Sequence, residues 1–428
     1  MKRPSIIKTG YLIVMAVICA FSVYSFFDKN TVSSEENRTL AKQPELSGDS
    51  WFTARYAEEM ENFLSDHVYA RSELINTAHV IGALAERKSK VKIVSHNTSE
   101  TAGGDAQEAQ EAIPSTLESN QGVIDKTPEN TQEYQQRLVL DDRILTVYKD
   151  SAEMLSYYAN IANSFFAMFP DYFEKNFIVA PSRIAFETAD LQKYGDDQKA
   201  AIDALYAQID PLVMTVDAYS ALKANASRLD DIFFRMDHHW THFGAYCASM
   251  ELAEALDEKD LNIDDFERKE GNSFLGFLYA QDPEPSMKQH QDELIYYLPK
   301  GRNALPETVY TENDSGELES EKGVTVNPLR GGYYTFIESS FAYVVIDGAN
   351  EDGRSMLIAA DSYGNALATW LAESCKRIVL IDPRFFKGGR DGVLELADRY
   401  EVTDVMMCSY ICSLDTTAFG AKIKSLTE

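Results

Sequence analysis

Three of the seven histidines fall within five residues, in Asp237-His238-His239-Trp240-Thr241-His242. A carboxylate two residues before an imidazole can hold one ring nitrogen and leave the other free to accept a proton. That is how a general base and its orienting group are paired in nucleophilic catalysis. Asp237 and His239 have this spacing. A metal site built from His238, His239 and His242 is a competing chemistry, weakened because adjacent side chains tend to point apart and no carboxylate pair completes a shell. In a third reading the histidines cap a helix and satisfy buried polar groups. A second reactive place is Ala359-Ala360-Asp361-Ser362-Tyr363-Gly364, where an apolar run ends in Asp-Ser before an amphipathic stretch. A serine there projects at a helix N-terminus, where unpaired N–H groups and the helix dipole can stabilise an oxyanion. Ser and Asp are also ordinary N-caps. Combined with Asp237 and His239, Ser362 completes a Ser-His-Asp set.

The surrounding pattern predicts what positions these residues. Residues 232–236 read as a strand leading into the histidines, and a helix begins near Thr241 with Phe243, Tyr246, Cys247, Met250 and Leu256 on one stripe. Residues 356–360 read as a strand before Ser362, with a helix over 365–374 after it. Further strands are expected at 176–180, 212–216, 342–346, 377–381 and 404–408. Helices are expected from the Asp150-Ser151 cap to Met168, from Asp196-Asp197 to Ile209, and over 392–400. Alternation of this kind predicts an α/β fold, a mostly parallel sheet with helices on both faces. In such sheets chemistry sits beyond the carboxyl ends of the strands. Arg183 and Arg384 follow strand ends and are candidates to bind substrate there, with a salt bridge at the sheet rim as the alternative for each. Tyr363 beside the serine is a further candidate. So is Asn272, in Gly271-Asn272-Ser273, as an oxyanion donor, with a plain turn as its alternative.

The chain has 428 residues and a formal charge of −28. A polyanion is repelled by such a field, so nucleic acid is excluded as a partner. Lys2, Arg3 and Lys8 precede an uncharged apolar run over residues 9–27, which Asp28 closes. Nineteen helical residues span roughly 28 Å, about one hydrocarbon core. The charge asymmetry predicts a single-pass cell-membrane protein with its N-terminus in the cytoplasm and residues 28–428 outside. A cleaved signal peptide is the alternative, though no small-x-small site precedes Asp28. Residues 1–28 are thus the cytoplasmic tip and anchor, and residues 29–96 a helical stalk or collar. Residues 97–135 hold eight acidic residues against Lys126 alone and read as a disordered insert. Residues 136–428 form the catalytic domain. Within it, residues 303–327 are acidic as well and read as a long surface loop. The five cysteines show no C-x-x-C pair and no zinc spacing, so buried free thiols are expected, with at most one opportunistic bridge. No cofactor and no metal is required.

The run Asp237-His238-His239-Trp240-Thr241 with Gly244-Ala245-Tyr246 resembles the signature of the DHHW family. Glu36-Asn37-Arg38 with Leu40 and Pro44, Ala180-Pro181-Ser182, Asp361-Ser362-Tyr363 and Asp382-Pro383-Arg384 agree with it. The resemblance spans residues 31–428 apart from the insert. It implies a fold like that of the SGNH-hydrolase-like alginate O-acetyltransferases of bacterial envelopes, with Asp237, His239 and Ser362 as the triad. It also implies a glycan or acetyl-ester substrate and a polytopic membrane acyltransferase as partner. The sequence departs from ordinary SGNH hydrolases in lacking recognisable Gly and Asn oxyanion blocks, and no separate carbohydrate-binding module follows the catalytic region. An esterase with the same triad, or a non-catalytic glycan-binding or scaffold protein, are the alternatives.

Overall fold

The computed structural model describes residues 32–33, 38–39, 41–44, 55–66, 91–97, 134–225, 228–256, 261–300, 307–311, 320–337 and 341–428. The apolar run at residues 9–27, most of the acidic insert and most of the stalk lie outside the described residues. Of the stalk, the helix Arg55–Asp66 is described, ending where Asp66-His67 breaks the apolar spacing. No helix among the described residues is long and apolar enough to cross a membrane.

Strands β1 (Val32–Ser33) and β2 (Arg38–Thr39) form a two-residue pair. Strands β3 (Lys92–Asn97), β4 (Tyr134–Val139) and β5 (Ile144–Val147) make a three-stranded antiparallel sheet. The last pair of β3 and β4 is Asn97 with Tyr134, so the acidic insert joins two hydrogen-bonded strands. The main sheet takes up β6 (Glu174–Ala180) and β7 (Met214–Val216), while β8 (Phe266–Glu270) and β9 (Ile295–Pro299) form a separate two-stranded antiparallel sheet. It continues with β10 (Glu307–Thr311), β11 (Ser320–Val324), β12 (Tyr343–Asp347), β13 (Ser355–Ala360), β14 (Arg377–Ile381) and β15 (Asp404–Tyr410). Its order is β11-β10-β12-β14-β13-β15-β6-β7.

Five strands, from β14 to β7, are parallel. Every residue of β13 and β15 is buried, as near-continuous apolar runs flanked by helical crossovers require. The other three strands extend the sheet in antiparallel fashion. The strand expected at 342–346 is present as β12, one residue on, and is antiparallel to both neighbours. One expectation is corrected here. The acidic stretch 303–327, read as a surface loop, contributes β10 and β11, with β11 at the edge of the sheet.

The helices follow their caps. Ser151 accepts the Met154 N–H and starts the helix Ala152–Phe166; Asp197 accepts from Lys199 and Ala200 and starts Gln198–Tyr206. The expected strand at 232–236 is absent. Leu229–Ile232 is a single helical turn, and the chain then runs irregularly, with Phe233 and Trp240 joined by one isolated bridge. Cys247, Cys375, Cys408 and Cys412 are buried and outside any disulfide.

Candidate active site

Ser362 lies two residues beyond β13, at the start of the helix Tyr363–Leu371. Asp361 fixes this junction. One carboxylate oxygen accepts the Tyr363 N–H at 3.1 Å, and the other accepts the Tyr410 N–H at 2.7 Å and the Ser413 hydroxyl at 3.2 Å, tying the turn to the end of β15. Burial raises the Asp361 pKa.

The Asp237–His239 segment is shaped by side chains from elsewhere. Asp292 accepts the backbone N–H of Arg235 at 2.7 Å and of Met236 at 2.9 Å. Burial pushes its pKa up to about 7 against those two donors. Arg183 donates to the Phe233 carbonyl at 3.1 Å and is paired with Glu187 and Asp230. The Met236 carbonyl accepts from Leu278 and Tyr279. Thr241 caps the helix His242–Ala255 through the Gly244 N–H.

Asp237 is buried, and its Oδ1 accepts His239 Nδ1–H at 2.6 Å and the His239 backbone N–H at 3.1 Å. Its Oδ2 accepts the Phe277 N–H at 3.1 Å. Burial would raise this carboxyl's pKa, but His239, His238 and the Phe277 N–H outweigh it and hold the group well below the usual carboxylate range. With Nδ1–H given to Asp237, the other ring nitrogen of His239 is the acceptor, and it stands 2.7 Å from Ser362 Oγ. The three residues expected to act together thus form one hydrogen-bonded chain from carboxylate through imidazole to hydroxyl.

The structure separates the metal candidates. His242 Nδ1 accepts the Tyr297 N–H at 3.1 Å and its Nε2 meets Thr369 Oγ1 at 2.8 Å, away from the other two histidines. Burial lowers its pKa to about 3. His238 and His239 do not point apart as expected of adjacent residues. Their rings lie 3.9 Å apart at 35°, because the backbone between them is irregular. One potential ligand atom from each of Asp237, His238 and His239 falls within 4.8 Å of the others. Two ligands of one tetrahedral ion at about 2.1 Å each stand roughly 3.4 Å apart. The 2.6 Å Asp237–His239 contact is a hydrogen bond and leaves no place for an ion between those atoms.

A small cleft of about 50 Å³ opens on Ser362, lined among others by Arg137, Thr146, His238, Tyr363, Arg384 and Tyr410. Tyr363 donates its hydroxyl to the His238 carbonyl and stacks on Tyr410 with ring centroids 4.6 Å apart. Arg384 reaches the cleft while held by Asp382 through Nε and Nη2, at 2.9 and 2.6 Å. The other two candidates are not among its lining. Arg183 is taken up in supporting the Phe233–Asp237 segment, and Asn272 is exposed, two residues before Phe274, which bridges to Asp292. Sequence reasoning missed Arg137, buried and paired to Asp282, as well as Asp292 and Tyr333. The Gly331-Gly332 pair before Tyr333 was an available signal; nothing in the spacing marked the other two.

The model of the family described as DHHW protein matches residues 110–381. The chain belongs to the DHHW family. A crystal structure of a DHHW family protein from Eubacterium siraeum DSM 15702 is 24% identical to this DHHW protein. The match covers 68% of this chain and 94% of that one, with a TM-score of 0.59. Bacillus cereus PatB1, solved with a sulfonyl adduct, is 16% identical over 67% of this chain and 96% of its own, with a TM-score of 0.55. A second PatB1 structure gives 0.54 over 65% and 97%. At these identities the likeness is one of fold, a mixed α/β domain around a parallel-rich sheet. No curated protein matches the sequence.

Proposed function

We propose that this DHHW protein is an SGNH-like O-acetyltransferase that acts on a cell-envelope or exported polysaccharide, with Ser362, His239 and Asp237 as its triad. The observation that carries the reading is the continuous chain Asp237–His239–Ser362, at 2.6 and 2.7 Å, at the mouth of a cleft beyond the carboxyl end of the sheet. His239 takes the Ser362 proton as Oγ attacks the carbonyl carbon of an acetyl ester, and Asp237 balances the imidazolium. The Ser362 N–H, at a helix start, donates to the oxyanion. Collapse expels the donor alcohol, which takes the proton from His239, and leaves acetyl-Ser362. A sugar hydroxyl then attacks the acetyl carbonyl carbon, its proton passing to His239; collapse breaks the bond to Ser362 Oγ, which takes that proton back, and the acetyl ester is left on the glycan. Water in place of the sugar makes the same site an esterase. Residues 9–27 anchor the domain at the outer face of the membrane, where a polytopic acyltransferase presents the acetyl donor.

The test is acetyl release from a chromogenic ester by the full chain and by Ser362→Ala. Activity in the first and none in the second supports the triad; equal activity in both, or none in either across several esters, overturns it. A fold shared with a protein that has been solved with a sulfonyl adduct makes a sulfonyl fluoride a fitting second probe. Adding an oligosaccharide and looking for a mass gain of one acetyl separates transfer from hydrolysis.

A further inference from the structure

We infer that Tyr333 is a positioning residue that favours the imidazolium form of His239 through its ring face while its hydroxyl holds the backbone of Ser362. The inference rests on the acyl-transfer reading and deepens it. Tyr333 stands in the short turn Gly332–Thr335 and is 3% exposed. Gly331 and Gly332 before it have φ of 73° and 52°, a region glycine enters without the cost a Cβ brings. The Asn327 N–H to Thr335 and the Ile337 N–H to Thr325 hold the turn in place, at 2.8 and 3.0 Å.

The Tyr333 ring lies parallel to the His239 imidazole, with centroids 3.7 Å apart and planes 3° from parallel. Its hydroxyl donates to the Ser362 carbonyl at 3.0 Å. One side chain therefore touches both the base and the residue that bears the nucleophile. The form of the stack matters. Ring planes cannot approach much closer than about 3.5 Å, so a 3.7 Å separation leaves little sideways offset. Two neutral rings disfavour such a sandwich, because their negative faces repel, and prefer offset or edge contacts. A cation over the same face is attracted. The contact is therefore better for imidazolium than for imidazole. His239 becomes imidazolium as Ser362 gives up its proton, so the contact strengthens along the reaction path, the kind of interaction that lowers a barrier. The other groups facing the ring are Asp237, His238, Ser362 and Tyr363, with Arg137 and Arg384 acting on His238 from beyond it.

The test compares the full chain with Tyr333→Phe and Tyr333→Leu. One readout is the rate at which a sulfonyl fluoride modifies Ser362 as a function of pH. The other is the titration of the His239 ring, followed by NMR in protein carrying labelled histidine. Leucine keeps apolar cover but removes the π face. Tyr333→Leu is expected to react about tenfold more slowly on the plateau, with its acid limb and its NMR midpoint moved about 0.5–1 unit to lower pH. Tyr333→Phe keeps the face, so both midpoints stay in place and the rate falls by no more than about threefold. A Tyr333→Leu variant whose limb and midpoint match those of the native chain, or move to higher pH as water admitted by lost packing would move them, overturns the inference even if it is slow. If Ser362 of the native chain is not modified at all, the acyl-transfer reading fails. The NMR midpoints then still decide whether the stack favours the cation.

Discussion

Ser362 stands at the end of a strand whose six residues are all buried, whereas Asp237 and His239 stand on a segment with a single isolated bridge. The proposed nucleophile is placed by backbone regularity. Strand β13 is hydrogen-bonded on both sides, to β14 and β15, and its direction carries straight into the helix. The proposed base is placed by polar contacts from distant parts of the chain: Asp292 on the N–H groups of Arg235 and Met236, Arg183 on Phe233, and the Phe277 N–H on Asp237. A ladder spreads its error over many bonds, while a buttressed loop depends on a few. The two regions should therefore fail differently, the first by losing stability and the second by losing activity in a folded protein.

The sharpest break is chemical and affects both sides. Ser362→Ala should lower kcat by about 10⁵-fold or more, and Asp237→Asn by about 10⁴-fold through the wrong imidazole tautomer, both read by ester turnover. Asp237→Asn also carries a stability signature. The folded carboxyl titrates below its unfolded value, so the native group adds stability that is full above about pH 4 and is lost as pH falls through the folded value. The variant should be less stable at neutral pH and show a flatter acid arm in denaturant titrations.

Next come the supports. A Cβ at Gly276 would lie 2.5 Å from the Asp237 Cβ and 2.6 Å from the Met236 carbonyl oxygen. Gly276→Ala should shift Asp237 and lower kcat about 10²-fold while costing about 1–3 kcal/mol of stability. Ile358→Ala in β13 should show the reverse, a loss of about 2–5 kcal/mol by chemical denaturation with kcat per folded molecule nearly kept. If Ile358→Ala lost activity in step with Gly276→Ala, the contrast between the two regions would be wrong. The smallest effect is expected at the Arg377–Asp347 pair near the far end of the sheet, with side chains 28% and 67% exposed. Asp347→Asn should change stability by no more than about 1 kcal/mol and leave turnover unchanged.

The parallel core was legible because its strands are unbroken apolar runs between capped helices; 377–381 appears in the structure with the same bounds. The edge was not. Residues 307–311 and 320–324 are rich in acidic and polar residue types, and a strand at or next to a sheet edge needs no apolar period to pair. The segment 232–236 misled for the opposite reason. Ile232, Phe233, Phe234 and Met236 are buried, so they read as a strand, but their backbone groups are satisfied largely by Asp292, Arg183 and Thr241 rather than by a sheet neighbour. At the site, Asp237, His239 and Ser362 were legible from residue type and short spacing. Asp292 and Tyr333 were not, because each acts across a gap in sequence that carries no period.

The sequence by itself determined which residues could serve nucleophilic catalysis, since a carboxylate, an imidazole and a hydroxyl can be recognised by type, and local order places each beside a turn. It also determined that most of the core strands are apolar enough to be covered on both faces. Tertiary structure alone decided that Ser362 and His239, 123 residues apart, meet at 2.7 Å, that His242 turns away, and that Arg183 serves the loop. Those outcomes depend on contacts between segments far apart in the chain. A residue's type states what it can bond to, but not which partner the packed core brings within reach.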